Sequence, residues 1–227
     1  MYDHSCNTIL LIDQESMASF NPISFCVYGS SSIRTKQNYL TASFELGAEI
    51  ARRNHICVNG GGSSGCMGSL NEGCRSLRGK VVGIIHVSFV DGGGGDALIA
   101  DMIVAKGDDL TQRKRLLRDS ADCMIVLPGG VGTFEELWDT VANKSCKFCD
   151  LEKIPICLVN INGFYDGFVL QLKRAAEDGL LYGDPETLIH VVEDPVAAVT
   201  WCEEQLKESG WVSSRLDMDF LRSSVSD

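Results

Sequence analysis

The chain has 227 residues, with 20 basic and 31 acidic side chains and a formal net charge of −11 at pH 7. That length suits one compact domain, or one domain with tails. Nonspecific nucleic-acid binding depends on Lys and Arg neutralising phosphates, so this charge argues against it. Ten cysteines in such a chain fall below the density of a disulfide scaffold. We therefore expect a reduced, intracellular protein.

No targeting or membrane signal is evident in the sequence. The first Lys or Arg is Arg34, so no charged region precedes an apolar stretch at the N-terminus. The apolar run Ile9-Leu10-Leu11-Ile12 is too short for a signal core, and no run approaches the roughly 18 apolar residues of a membrane helix. We expect a cytoplasmic protein that does not contact a membrane.

The body of the chain alternates short apolar runs with helical patterns. Residues 1–22 lack clear periodicity and are assigned to an N-terminal extension, 23–208 to a single domain, and 209–227 to a polar C-terminal tail. Strands are predicted at 23–28, 55–58, 81–85, 99–104, 123–127, 156–159 and 190–192. Helices are predicted at 38–53, from about 65, and at 109–119, 133–145, 164–178 and 195–207, with a mobile Gly-rich break at 91–97.

This alternation predicts a three-layer, Rossmann-like α/β fold, with a parallel sheet and helices on both faces. Such sheets bind ligands at the carboxyl ends of their strands. The Gly-rich breaks at 29–32, 60–65 and 128–132 fall at those ends. Three such loops around one crevice indicate a ligand that carries phosphate.

The pattern Gly60-x-Gly62-x-x-Gly65 matches the dinucleotide-binding fingerprint. That fingerprint belongs after the first strand and needs an acidic residue about 20 positions further on to hold a ribose. This copy follows the second predicted strand, and Ile85-His86 stands at the required distance. We therefore favour a tight turn that packs a helix close to the sheet over an NAD site. The P-loop pattern of ATP sites does not occur.

The loop Pro128-Gly129-Gly130-Val131-Gly132-Thr133 joins an apolar strand to a predicted helix. Glycines let backbone N–H groups converge, and a helix start adds partial positive charge. Because these glycines exceed what a turn needs, we favour an anion-binding loop over a plain turn. Thr133-Phe134-Glu135-Glu136 also fits a capping box, in which Glu136 bonds back to the cap. The residues alone leave Glu136 as a cap, a catalyst or both.

Arg113-Lys114-Arg115 and Arg118 form a basic run on a predicted helix. Such a run is usually a solvated face. Lys114 and Arg118 are four positions apart and share a face, whereas Arg113 points elsewhere. Spacing alone does not single out Arg113.

The pair Cys146-x-x-Cys149 fits half of a zinc site or a redox motif. No second pair of ligands completes a metal site, and the pair does not open a helix after a strand. We expect a structural or incidental role for it. Trp138 is expected in the core.

The motif PGGxGTxxE is complete from Pro128 to Glu136, and Arg113-Lys114 precedes it. In these residues the chain resembles the LONELY GUY family of cytokinin riboside 5′-monophosphate phosphoribohydrolases, described in older usage as lysine decarboxylase-like. Further matches are Tyr28-Gly29-Ser30-Ser31, Gly60-Gly61-Gly62, Gly65-Cys66-Met67-Gly68 and Asn160-Ile161-Asn162-Gly163-Phe164-Tyr165, so the resemblance spans about 25–205.

The resemblance implies a homodimer that cleaves an N6-modified AMP into a free base and ribose 5-phosphate, without a metal or organic cofactor. The two catalytic residues of the family fall on Arg113 and Glu136. Substrate contacts are expected from Gly29, Ser30, Ser31, Gly61, Gly62, Met67, Lys114, Pro128, Gly129, Gly130, Val131, Gly132 and Thr133.

Several departures from the family pattern bear on the preferred base. Cys66 stands where Leu is usual, Asn59 where an aromatic residue is common, and His86 where Pro is usual. The 86–97 loop, with Gly92–Gly95, does not follow the family pattern and is expected on the base side.

We therefore predict hydrolysis of the N-glycosidic bond of an N6-modified adenosine 5′-monophosphate, which releases a cytokinin-type free base and ribose 5-phosphate. One alternative is a broad nucleosidase that accepts plain AMP, and another is a nucleotide-binding or carrier protein without catalysis. Lysine decarboxylation requires a cofactor that forms a Schiff base with a lysine, and no lysine context in the sequence supports it.

Overall fold

The computed structural model describes residues 21–148, 151–182 and 184–225. Most of the predicted N-terminal extension, with its apolar run Ile9-Leu10-Leu11-Ile12, lies outside these residues, as does Cys149 of the CxxC pair. The strands are β1 (Ser24–Tyr28), β2 (Ile56–Asn59), β3 (Lys80–His86), β4 (Asp101–Ala105), β5 (Cys123–Val126), β6 (Ile156–Val159) and β7 (His190–Val192).

The helices follow the strands in a regular alternation. They are α1 (Gln37–Arg52), α2 (Gly65–Ser76), α3 (Val87–Asp91), α4 (Thr111–Asp119), α5 (Val131–Ser145), α6 (Asp166–Glu177), α7 (Pro185–Leu188), α8 (Pro195–Glu208) and α9 (Met218–Ser223). Short 3₁₀ turns lie at Leu151–Lys153 and Ile161–Gly163. No helix in the described ranges is long and apolar enough to cross a membrane.

The seven strands form one sheet in the order β4-β3-β2-β1-β5-β6-β7, and all neighbouring pairs are parallel. The chain leaves β1 towards β2 on one side and reaches β5 on the other. The loops after β1 and β5 therefore diverge and leave a crevice at the carboxyl ends of these strands. This confirms the predicted α/β fold with a parallel sheet.

The core lies in two parts, one on each face of the sheet. Alternate residues of β1 point to opposite faces, so Phe25 and Val27 belong to one part and Cys26 and Tyr28 to the other. Helices α1, α2 and α8 cover the first face, and α4, α5, α6, α7 and α9 contribute to the second. Helices on both faces confirm the three predicted layers.

Helices α3, α7 and α9 and the segment 91–97 differ from the pattern predicted from the sequence. Helix α3 follows β3 directly, where no helix is predicted, because five residues are too few to show a helical period. The segment predicted as a mobile break, 91–97, is hydrogen-bonded to the loop after β2: Ser63 N donates to Gly94 O at 3.2 Å and Asp96 N to Gly61 O at 2.8 Å.

The segment after α8, assigned to a tail by its polarity, packs against the body of the fold. Leu221 of α9 is buried in the core. The carboxylate of buried Asp122, just before β5, accepts hydrogen bonds at 2.7 Å from the amide and the hydroxyl of Ser24. Its other oxygen accepts from Arg215 N at 2.7 Å. Asp122 thus joins the start of the sheet to the C-terminal segment.

We expect Asp122→Ala to lower the free energy of unfolding by about 3 kcal/mol, because it leaves several buried donors without an acceptor. Urea unfolding measures this loss. The matched control is Asp178→Ala, whose carboxylate pairs with Arg174 at the exposed end of α6, where about 0.5 kcal/mol is expected. Equal losses in the two variants would contradict the buried network.

Candidate active-site cleft

A cleft of about 440 Å³ opens at the carboxyl ends of the strands, at the crevice between the loops that follow β1 and β5. It is lined by residues of the loops after β1, β2, β3 and β5 and of helices α4 and α5. These residues are Gly29, Ser30, Ser31, Ser32, Gly60, Gly62, Ser63, Ser64, Met67, Ile85, Phe89, Gly94, Leu110, Arg113, Gly130, Val131, Gly132, Thr133, Glu135 and Glu136. The three Gly-rich loops therefore face one crevice, as the sequence predicted.

The N-terminus of α5 forms one end of the cleft. The helix begins at Val131 after Gly130, and no side chain caps its first amides. The first N–H groups of a helix have no partner within the helix. A Cβ added at Gly130 or Gly132 would meet nothing within 4 Å, and Val131 is 88% exposed. This end offers unpaired N–H groups and the positive end of a helix dipole to an anion.

The capping box suggested for Thr133 and Glu136 is not formed. Because α5 starts two residues earlier than predicted, Thr133 is its third residue and Gly130 occupies the cap position. The Thr133 side chain packs against Gly129, where an added Cβ would lie 2.1 Å from Thr133 Oγ1. Glu136 turns away from the cap and pairs with an arginine.

That arginine is Arg113 of α4, which is buried in the centre of the cleft. Its Nη1 donates to Glu136 Oε1 at 2.7 Å, and its Nε donates to the carbonyl oxygen of Ile84 in β3 at 3.0 Å. Burial raises the pKa of Glu136 above its usual range, and the neighbouring Arg113 acts against this shift. The pair therefore combines a fixed cation with a carboxyl group whose ionisation is penalised by burial.

Gly60 is required by the position of Arg113, although it was not among the predicted site residues. A Cβ at Gly60 would lie 2.2 Å from Arg113 Nη2 and 2.9 Å from Met67 Sδ. The absence of a side chain thus makes room for the guanidinium group. No local sequence signal distinguishes this glycine from its neighbours, because its partner is distant in the chain.

Hydrogen bonds between the loops fix the end of the cleft at the N-terminus of α5. Ser30 N donates to Pro128 O at 3.1 Å, and Met67 N donates to Ser30 O at 3.2 Å. Gly65 permits the second contact, since its φ is +61° and an added Cβ would lie 2.5 Å from Ser30 O. The loops after β1, β2 and β5 are therefore one connected unit.

Most of the predicted substrate contacts line the cleft, and four do not: Gly61, Lys114, Pro128 and Gly129. Lys114 donates to Glu135 Oε1 at 2.6 Å, and this hydrogen bond raises the pKa of Lys114. Glu135 lines the cleft, so Lys114 is linked to the cleft indirectly, through Glu135. Gly61 instead supports the loop, since its carbonyl accepts from Asp96 N.

Within the basic run on α4 only Arg115 is exposed, so the run as a whole is not a solvated face. Arg113 and Arg118 are both buried. Arg118 Nη1 donates to Asp139 Oδ2 at 3.0 Å, and Lys114 Nζ lies 3.9 Å from Asp139 Oδ1. Lys114 and Arg118 thus meet the same carboxylate while Arg113 takes a different direction, as their spacing on the helix indicated.

The prediction for Trp138 is wrong, and the cysteine pair is only partly described. Trp138 is 41% exposed and its ring lies 4.6 Å from that of Phe168, so it covers the core rather than entering it. Cys146 is exposed and free. Within the described ranges, no group of three His, Cys, Asp or Glu side chains is arranged to hold a metal ion.

The side of the cleft beside β3 holds residues that the sequence did not indicate. Ile85 lies in the buried part of β3, Phe89 lies on α3, and Gly94 belongs to the following segment. Loop departures from the family pattern marked this region as unusual without identifying which side chain faces the ligand.

Comparisons with known proteins agree on one family. A family model described as "Possible lysine decarboxylase" matches residues 67–202. The cytokinin riboside 5′-monophosphate phosphoribohydrolase LOG3 of Arabidopsis thaliana is 31% identical over 188 residues, which are 82% of this chain and 83% of that protein. The corresponding enzyme LOG of Oryza sativa subsp. japonica is 32% identical over 164 residues, 72% of this chain and 66% of that protein.

Solved structures share the fold at lower identity. The molybdenum cofactor carrier protein from Chlamydomonas reinhardtii has a TM-score of 0.61 at 20% identity, covering 82% of this chain and 99% of its own. The molybdenum cofactor binding protein from Rippkaea orientalis has a TM-score of 0.59 at 17% identity, covering 82% of this chain and 98% of its own. At these identities the likeness concerns the fold.

We expect Gly60→Ala to displace the Arg113 guanidinium while the protein still folds, because the clash falls on the ends of two flexible side chains. The Arg113 Nε–H signal in NMR, assigned by its loss in Arg113→Lys, should exchange at least about tenfold faster than in the wild type. Gly167→Ala is the control, since nothing lies within 4 Å of a Cβ there. Unchanged exchange in Gly60→Ala would contradict the close approach.

We also expect a pH signature from Glu136. Its pKa is raised in the folded state, so the stability it contributes is present below the unfolded-state pKa of about 4.3 and is lost as pH rises through the folded-state value. From about pH 4 upward the wild type should therefore lose stability relative to Glu136→Gln. Urea unfolding across this range measures the difference, and a difference independent of pH would contradict the raised pKa.

Proposed function

The chain belongs to the LOG family of cytokinin riboside 5′-monophosphate phosphoribohydrolases, and we propose that it hydrolyses the N-glycosidic bond of an N6-modified AMP. The products are the free base and ribose 5-phosphate. The proposal places this activity in one Rossmann-like domain, residues 23–208 together with the C-terminal segment that packs on it, of a cytoplasmic homodimer, and it needs no metal or organic cofactor. The observation that carries it is the Arg113–Glu136 ion pair beside the open N-terminus of α5.

The 5′-phosphate binds at the N-terminus of α5 in this proposal. The unpaired amides of the first turn donate to phosphate oxygens, and the helix dipole favours the negative charge. Gly130 and Gly132 support this assignment because their Cα positions are open to the cleft. Ser30 and Ser31 line the same end and add hydroxyl donors. Binding energy from the phosphate then positions C1′ of the ribose for reaction.

Glu136 acts at the ribose. As the base leaves, C1′ gains positive charge, and carboxylates stabilise such oxocarbenium-like states or activate the attacking water. Arg113 holds Oε1 of Glu136, and no residue in the described ranges donates a hydrogen bond to Oε2. That oxygen is therefore directed to substrate or water. Because burial excludes solvent, its charge acts on C1′ more strongly than in water.

Arg113 keeps Glu136 effective. A buried carboxylate with a raised pKa is protonated more readily, and a protonated Glu136 stabilises no cation. The guanidinium opposes this shift and fixes the carboxylate through a charge-assisted hydrogen bond. Its third nitrogen, Nη2, lies beside Gly60 at the floor of the cleft, where it can donate to a ribose hydroxyl or the phosphate.

We expect Glu136→Gln to lower the rate of base release by about 10² to 10⁴, as for a positioned acid–base or electrostatic group. The assay incubates purified protein with AMP and with N6-isopentenyl-AMP and separates free bases by chromatography. Glu177→Gln, an exposed position on α6, should retain wild-type rates.

Each outcome of this assay has a distinct meaning. Release from N6-isopentenyl-AMP that depends on Glu136 supports the proposal. Comparable release from AMP would replace it with a broad nucleoside monophosphate nucleosidase. Saturable nucleotide binding without any free base would replace it with a nucleotide carrier, and near-normal turnover in Glu136→Gln would remove Glu136 from the catalytic role.

A further inference from the structure

The order of the strands in the sheet determines which groups lie at each end of the cleft. The N-terminus of α5 follows β5, and Phe89 follows β3; β1 and β2 lie between them. Three strand spacings separate β5 from β3, or about 14 Å. Arg113 lies between these ends, bonded to β3 through Ile84 and beside Gly60 after β2. A nucleotide with its phosphate at α5 and its ribose at Glu136 therefore directs its base towards β3.

At that end the cleft is apolar. Phe89, Ile85 and Gly94 line it, and Met67 and Leu110 are further apolar residues of the cleft lining. Phe89 is 47% exposed, so its ring has a face that the protein does not cover. Serine hydroxyls are the polar side-chain groups on this side, and the charged side chains that line the cleft lie on α4 and α5. We define Ile85, Phe89 and Gly94 as the α3 wall.

Contacts with His86 fix the position of Phe89. His86 Nδ1 accepts from Ser88 N at 3.3 Å and caps α3, while its Nε2 lies 3.1 Å from Gly107 O. This pairing requires the neutral ring with its proton on Nε2. The rings of His86 and Phe89 meet edge to face with centroids 6.3 Å apart. The buried histidine thus orients the helix that carries Phe89.

Asp96 fixes the other part of the α3 wall. Its buried carboxylate accepts from Arg75 Nη1 at 2.7 Å, from Asn71 Nδ2 at 3.0 Å and from Leu98 N at 3.0 Å. Asn71 Nδ2 also donates to Gly62 O at 3.1 Å. The segment that carries Gly94 is therefore joined to the loop after β2, so the α3 wall is preorganised.

We propose that Phe89 is the specificity-determining residue of the cleft and selects purine nucleotides whose base carries an apolar substituent. This inference rests on the proposed function for the orientation of the nucleotide. The ring of Phe89 offers its free face to the base, since aromatic rings stack on bases regardless of sequence. Ile85 and Gly94 line the cleft beside it, so this end offers an apolar lining on which a substituent of the base can pack.

The test measures binding, so it does not depend on turnover. In the Glu136→Gln background, calorimetry compares N6-isopentenyl-AMP, AMP and ribose 5-phosphate. The parent should bind N6-isopentenyl-AMP more tightly than AMP. Phe89→Ala should weaken N6-isopentenyl-AMP by about tenfold or more, AMP by less, and ribose 5-phosphate by less than about twofold. Phe89→Leu, which keeps an apolar side chain, should give an intermediate loss.

Val90→Ala is the matched control, because Val90 lies on the same short helix and does not line the cleft. It should leave all affinities within about twofold. Equal weakening of N6-isopentenyl-AMP and AMP in Phe89→Ala would overturn the selectivity, and equal weakening of ribose 5-phosphate would reveal general loosening of the cleft, which also overturns it. Selective weakening without base release by the wild type would support the role of Phe89 and refute only the hydrolase.

Discussion

One ion pair, between buried Arg113 and partly buried Glu136, connects the elements around the cleft. Arg113 comes from α4, its Nε binds a carbonyl of β3, its Nη1 binds Glu136 on α5, and its Nη2 lies against the loop after β2. Removing two charges from water costs several kcal/mol, which is offset only by good geometry and further hydrogen bonds. The glycine at position 60 and the carbonyl of Ile84 meet that condition, so the loops are arranged around the pair.

The pair also divides the cleft into two unlike halves. On the α5 side, unpaired amides and serine hydroxyls face the ligand, and these groups bind an anion well but distinguish poorly between anions of similar shape. On the β3 side, the lining is apolar and preorganised by His86 and Asp96. In the proposed reaction, affinity and selectivity thus come from opposite ends of the cleft, and the chemistry takes place between them at Glu136.

The sequence predicted the features that depend on local pattern. Apolar runs indicated all of the strands of the described sheet, and glycines after β1, β2 and β5 indicated the crevice. Arg113 required the family resemblance, because its spacing does not distinguish it from Arg118. The individual roles of Gly60 and Phe89 were not predicted, although both lie in segments, 60–65 and 86–97, that were expected at the site. The first matters through a side chain distant in sequence, and the second lies on a helix too short to show periodicity.

The hydrogen bonds of Asp122 have a consequence for the order in which the chain folds. Ser24 in the first strand and Arg215 near the C-terminal helix both bind this carboxylate, and Ser214 reaches Ser24 across 190 positions of sequence. Contacts of such separation form late and slow folding, since the loop-closure entropy is lost before they are made. During synthesis, the buried carboxylate of Asp122 therefore stays incompletely paired until Arg215 has been added. Of the segments that bind Asp122, the one that contains Arg215 leaves the ribosome last, so the nascent sheet depends on it.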